Sequence, residues 1–133
     1  MKKRYYTYED FEKDAKKLAS ILKNIYFKNI YAMPRGGFIL GVRLSHLLGI
    51  PMVPSTKYIG KDTLIVDDIV HFGTTLIKYK RYNIACLHFN SDCSSFKPRF
   101  YAHKTSEYIV YPWEQHGIPL DSERSKRLLE EAE

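Results

Sequence analysis

The apolar positions of the chain fall first into a helical rhythm and then into short blocks. Phe11, Ala15, Leu18, Ala19, Leu22 and Ile25 recur at spacings of three and four, which places them on one face of a helix. Thr7 stands before this stretch as an N-cap, with Asp10 three residues on as its capping-box partner. Tyr5, Tyr6, Tyr8 and Phe11 read as an aromatic lid packed on that helix. Short apolar blocks follow. Residues 29–33 (NIYAM) predict a buried strand, 38–49 (FILGVRLSHLLG) a helix ending at Gly49, and 51–54 a second strand. Residues 62–68 (DTLIVDD) predict a third strand, and another helix is expected from about Thr74. Residues 83–89 (NIACLHF) predict a fourth strand, with FYAHK and YIVYP as further short ones.

A helix, then strand, loop and helix in repetition, with strands apolar on both faces, is the pattern of an open, mainly parallel α/β sheet flanked by helices. Ligands of such sheets bind where loops leave the carboxyl ends of the strands. Two unusual loops fall there, PRGG at 34–37 and DDIVHFGTT at 67–75. The 133 residues suit one domain, with a core over about 5–114 and a tail over 115–133 that is a polar helix or a frayed end.

Composition narrows the class. The chain is 44% hydrophobic and 27% charged, the balance of a globular protein, and lacks an apolar run near the ~20 residues that span a bilayer. Basic residues at the N-terminus have no apolar stretch behind them, so the expectation is a cytoplasmic protein. The net charge of +6 favours anionic partners, small phosphorylated ligands ahead of a nucleic-acid surface. Cys86 lies in an apolar strand pattern and reads as a buried thiol; Cys93 lies in a polar loop, and no cysteine or histidine cluster suggests zinc.

In LIVDDIVHFGTTL an apolar strand ends in adjacent carboxylates, Asp67 and Asp68, and a turn through Gly73, Thr74 and Thr75 leads toward the expected helix. Gly73 lets backbone amides approach an anion, a helix N-terminus stabilises a phosphate, and the threonine hydroxyls add donors. The carboxylates can accept from two neighbouring sugar hydroxyls or organise Mg²⁺ through water. The combination suits a ligand with a phosphate at one end and a diol at the other, such as ribose 5-phosphate. Helix capping is the plain alternative for an isolated pair of aspartates.

These residues resemble the phosphoribosyl-diphosphate (PRPP) signature of type I phosphoribosyltransferases. PRGG resembles the family's pyrophosphate loop, LSHLLGIP the helix that follows it, and YIVYPWE (108–114) the base-binding segment of small bacterial xanthine-guanine and hypoxanthine enzymes, which forms a small C-terminal hood. The resemblance covers about 5–114. It implies transfer of a 5-phosphoribosyl group from PRPP to a 6-oxopurine, giving a nucleoside monophosphate and pyrophosphate, with Mg²⁺ and as a homodimer. It implies that Arg35, Gly36 and Gly37 bind pyrophosphate across a cis peptide at 34–35, and that Asp67 and Asp68 hold the ribose hydroxyls and, indirectly, the metal. Ile69, Val70, His71, Phe72, Gly73, Thr74 and Thr75 would form the phosphate loop. Tyr108, Ile109 and Asn90 would meet the base, and Trp113 would be a structural aromatic or pocket wall.

The chain departs from the family at four places. His71 stands where purine enzymes commonly have an aspartate that takes a proton from the base; an imidazole can do this, or can donate to a phosphate, or merely fill the loop. Phe72 replaces a threonine of the phosphate loop. Only STKYIGKD (55–62) occupies the place of a long mobile loop, with Lys57 and Tyr58 available in a shorter version. No lysine stands near 89–91 to contact the base's exocyclic oxygen, where Asn90 offers a different hydrogen bond. A second reading follows, a PRPP or nucleotide sensor without turnover, associated with RNA or a partner.

Overall fold

The structure, a computed structural model, describes residues 2–114, so the reading of the tail lies outside the described residues. From the N-terminus the chain forms β1 (Lys3–Tyr5), α1 (Tyr8–Leu22), β2 (Asn29–Ala32), α2 (Gly36–Leu48), β3 (Thr63–Val70), β4 (Asn83–Asn90), β5 (Phe100–Thr105) and β6 (Tyr108–Val110). Strands β2, β3, β4 and β5 lie side by side in that order, all parallel. β1 and β6 pair separately, also parallel, with Lys3 opposite Tyr108. That two-stranded unit is the hood, and its N-terminal strand was not legible in the polar sequence KRY.

The helix starts follow from their residues. Thr7 accepts from the Asp10 amide and Asp10 accepts from the Thr7 amide, so the capping box is closed. Gly49 ends α2 at φ 68°, a left-handed position that favours glycine. α1 buries Phe11, Ala15, Leu18 and Leu22, which pack with Leu40 and Leu44 of α2 and with Ile30, Leu64, Val66, Ala85, Leu87 and Ala102 of the sheet. Ile65, Ile84 and Cys86 face the other way, into a second cluster with Leu76 and Phe96. Cys86 is fully buried, and burial pushes its thiol pKa up. Of the aromatic lid, Tyr6 and Phe11 are buried, while Tyr5 and Tyr8 are exposed.

Two expectations are corrected. The 51–54 segment is reduced to a bridge between Met52 and Ile30, because Pro51 and Pro54 have no N–H to offer a ladder. The helix expected from Thr74 is also absent; only a 3₁₀ turn, Ile77–Tyr79, interrupts the return to β4. The chain has to travel back along an eight-residue strand, ~26 Å at the usual strand rise. Once residues 71–75 have formed their loop, the seven residues 76–82 wound as an α-helix would cover only ~10 Å. The helices thus cover one face of the sheet, and connecting segments cover the other.

The strands change face near their carboxyl ends. Along β4, Ala85 and Leu87 pack on the helix side and Ile84 and Cys86 on the other. His88 then also turns to the helix side, against Tyr6 and Tyr111, and Phe89 to the far side. β3 slips likewise: Val66 and Ile69 pack on the helix side, Val70 on the far one. The cause in β3 is local. The Asp67 carboxylate accepts from the Asp68 amide (2.8 Å) and the Asp68 carboxylate from the Ile69 amide (2.8 Å), an alternative to regular strand geometry.

Candidate functional site

β3 carries Asp67 and Asp68 out of the core to the carboxyl edge of the sheet, where both are half-buried. Burial, then the charge of Asp68, pushes the Asp67 carboxyl well above the usual range. Burial raises Asp68 as well, opposed by the Asp67 side chain, by the bond from the Ile69 amide and by the nearby Trp113 indole N–H. Two adjacent carboxylates kept from water are costly as a pair of charges. Hydroxyl donors or a cation at their oxygens relieve that cost, which fits a diol or a metal-bound ligand. Among the described residues no group of three or more His, Cys, Asp or Glu could hold a metal ion. Mg²⁺ at this pair would therefore need ligand oxygens or water to complete its shell.

The loop after β3 turns at Gly73, φ 82°, where a Cβ would lie 2.9 Å from Ser95 Oγ and 3.0 Å from the Phe96 ring. The Ser95 amide donates to the Phe72 carbonyl (3.0 Å), so the 91–99 segment props the loop from behind. Asp67 and residues 69–76 line a cavity of about 170 Å³. That is below the ~300–1,000 Å³ of an enclosing small-molecule pocket, so it receives one end of a ligand. Thr74 and Thr75 are exposed at its rim. Without a following α-helix, the anion-binding capacity of this loop rests on its amides and hydroxyls alone.

His71 and Asn90 are joined here. Asn90 is fully buried, and its Oδ1 accepts from the amides of Asp92 (3.1 Å) and Cys93 (3.2 Å). Its Nδ2 lies 3.3 Å from His71 Nδ1. Asn90 stands behind His71, with both ends of its amide engaged. Phe72, in place of a hydroxyl donor, is exposed and sets the edge of one ring against the His71 ring at 4.3 Å.

The PRGG loop faces Asp68. Arg35 is exposed, its peptide bond with Pro34 is cis, and Gly36 and Gly37 form the first turn of α2. A Cβ on Gly36 would collide with the Asp68 carboxylate, 2.7 Å from its Cγ; one on Gly37 would lie 2.5 Å from the Val66 carbonyl. The two glycines thus let the loop press onto the end of β3.

From the hood, Tyr108 is half-exposed and Ile109 is buried in the core. Lys57 and Tyr58 sit in an exposed 3₁₀ turn, the ammonium 5.0 Å from the ring centre. The sequence reading missed Tyr111. Its hydroxyl donates to the Asp68 carbonyl (3.1 Å) and meets His88 Nδ1 (2.8 Å), and its ring stacks on Trp113 at 4.8 Å. The buried Trp113 indole N–H has no well-formed hydrogen bond, and Asp68 is the acceptor it acts on. Only the proximity of 111 and 113 in YPW hinted at this pairing. A larger cavity, about 440 Å³, lies behind the hood among Arg4, Lys13, Asp14, His88, His103, Lys104 and Glu107. It shares no lining residue with the loop cavity, and its three cationic side chains, Arg4, Lys13 and Lys104, face three carboxylates, Asp10, Asp14 and Glu107.

No family profile and no curated protein sequence matches the chain. Solved structures do. A purine phosphoribosyltransferase from Pyrococcus horikoshii Ot3 superposes with a TM-score of 0.79 at 29% identity, over 90% of this chain and 99% of that one. A hypothetical protein from Neisseria gonorrhoeae with bound ppGpp gives 0.73 at 20% identity, over 99% and 98%. The Helicobacter pylori xanthine-guanine-hypoxanthine phosphoribosyltransferase gives 0.72 at 22%, over 96% and 97%. A parallel α/β sheet with a hood, a paired-carboxylate strand end and a glycine-threonine loop defines the class. The chain has the type I phosphoribosyltransferase fold.

Proposed function

We propose that this chain transfers a 5-phosphoribosyl group from PRPP to a 6-oxopurine, releasing pyrophosphate. The observation that carries the proposal is the meeting of three parts at one sheet edge: the Asp67–Asp68 pair, the Gly73–Thr75 loop, and the Gly36–Gly37 turn pressed against Asp68. In this reading Asp67 and Asp68 accept from the ribose hydroxyls. The amides and hydroxyls of 71–75 hold the 5-phosphate, and Arg35 with the amides of the α2 first turn holds the diphosphate. Asp67 and Asp68 would hold Mg²⁺ through water or ligand oxygens, and the ion would supply charge neutralisation on the leaving diphosphate. Tyr108 offers its ring to the base. The purine nitrogen displaces pyrophosphate at C1, and the protein contributes chiefly position and charge stabilisation. The likeness to purine phosphoribosyltransferases supports the reaction class.

Nucleotide binding without turnover is the second reading, favoured by one observation. The 55–62 segment is a single 3₁₀ turn, too short to cover the site and exclude water as a lid would. A product assay decides. PRPP, Mg²⁺ and a panel of purine and pyrimidine bases should yield a purine nucleoside monophosphate. No product with any base, together with measurable nucleotide affinity, would establish the second reading instead.

A further inference from the structure

The hydrogen bonds around Asn90 determine which nitrogen of His71 carries its proton. Backbone amides only donate, so the Asn90 atom that faces the amides of Asp92 and Cys93 is the carbonyl oxygen. The atom that faces His71 is then the NH₂ group, which only donates. His71 Nδ1 must accept. In the neutral ring the proton therefore sits on Nε2, and the nitrogen left for a ligand is an N–H donor. Asn90 is fully buried and held at both ends, so it cannot turn over without breaking two backbone hydrogen bonds.

We infer that Asn90 is a positioning residue that locks His71 as a hydrogen-bond donor, so that the wild-type site favours a ligand presenting an acceptor over one that must lose a proton. This rests on the ribose-phosphate reading of the neighbouring loop. A finished purine nucleotide presents such an acceptor, the lone pair of N7. A free purine reacting as its N7–H form does not. In the transfer, the N9 lone pair forms the bond to C1 and the C1–O bond breaks, its electron pair leaving with pyrophosphate. The proton on N7 then needs an acceptor atom, which the locked His71 withholds. The lock slows transfer and strengthens retention of the nucleotide.

One isosteric change reverses it. Asn90→Asp keeps an oxygen for the amides of Asp92 and Cys93 and places a second oxygen toward His71 Nδ1. The ring proton then moves to Nδ1, and Nε2 becomes the base. His71→Asp, with Asn90 retained, is the second route, since the Asn90 NH₂ is matched to a carboxylate. The first measurement is the two-bond ¹⁵N–¹H spectrum of His71 in the ligand-free protein, assigned with His71→Gln. It should show Nε2 protonated and Nδ1 bare in the wild type, and the reverse in Asn90→Asp. Nδ1 protonated in the wild type overturns the proposal whatever the ligand. The second is the rate of nucleotide formation from PRPP and guanine or hypoxanthine. It should rise at least ~10-fold in Asn90→Asp, a part of the ~10²–10⁴ that a positioned base contributes. If Asn90→Asp and His71→Asp fold and bind PRPP but gain no rate over the wild type, the lock is not what limits transfer, and the proposal falls. If neither they nor the wild type bind PRPP or GMP, the ribose-phosphate reading fails instead, while the spectrum still decides the tautomer.

Discussion

Replacing Gly36 by alanine separates the site from the fold. The new methyl would collide with the Asp68 carboxylate, 2.7 Å from Cγ and 3.0 Å from Oδ1, where ordinary contacts begin at 3.4 Å. The obstacle is a side chain, so Asp68 swings aside and the backbone stays. Swinging removes the 2.8 Å bond from the Ile69 amide, worth about 1.5–3 kcal/mol for a charged acceptor. It also forces a strained rotamer at about 0.5–1.5 kcal/mol. Together these cost the folded protein about 2–4.5 kcal/mol, and the displaced carboxylate also loses its charged hydrogen bond to a ligand hydroxyl, about 1.5–3 kcal/mol or roughly 10- to 150-fold in Kd. Gly41→Ala is the contrast. Its methyl would lie 2.6 Å from Ala32 Cβ and 3.2 Å from Met52 Cε, inside the packed core. It should cost about 1–3 kcal/mol of stability with no selective loss of affinity in the protein that remains folded. Calorimetry with PRPP and GMP, beside urea unfolding of both variants, reads the two effects. A folded Gly36→Ala protein with wild-type affinity, or a folded Gly41→Ala protein with an equal loss of affinity, would refute the reasoning.

Trp113 is the chain's single tryptophan and acts on Asp68, so its fluorescence should change when PRPP or GMP binds. Trp113→Phe should lose that signal; emission unchanged on saturation of the wild type would place the ligand elsewhere. Tyr111→Phe leaves His88 and the Asp68 carbonyl without their shared hydroxyl and should cost about 1–3 kcal/mol in urea unfolding, whereas wild-type stability would show that the contact contributes nothing. His88, held at about 4 by burial and then by His103, stays neutral where the unfolded chain takes up a proton. Its contribution to stability is thus complete above about pH 6.5 and falls by about 3 kcal/mol as pH drops to 4. His88→Gln should flatten that part of the urea midpoint against pH, and an equally steep curve in the variant would contradict the assignment.

The elements whose residues carry their own instructions were legible: the Thr7–Asp10 box, the Gly49 stop, and the continuous apolar strands around Ile65 and Ala85. The loops at 34–37 and 67–75 were legible because glycine, threonine and paired acid have few other uses at a strand end. The helix expected after Thr74 does not form, because too few residues remain to cross back to β4. β1 could not be seen, since KRY is polar and pairs with a strand more than a hundred residues away. The roles of Asn90 and Tyr111 were equally hidden. Each depends on a partner distant in sequence, His71 and Asp68, and on the change of face along β3 and β4 that brings them together.

The central claim is that one sheet edge binds a ribose 5-phosphate group, and a crystal structure with a purine nucleoside monophosphate tests it most directly. The account predicts the phosphate on the amides of 71–75, the ribose hydroxyls on Asp67 and Asp68, and the base between His71 and Tyr108. A nucleotide bound in the cavity behind the hood, among Arg4, Lys13 and Lys104, with the 71–75 loop bare, would contradict it.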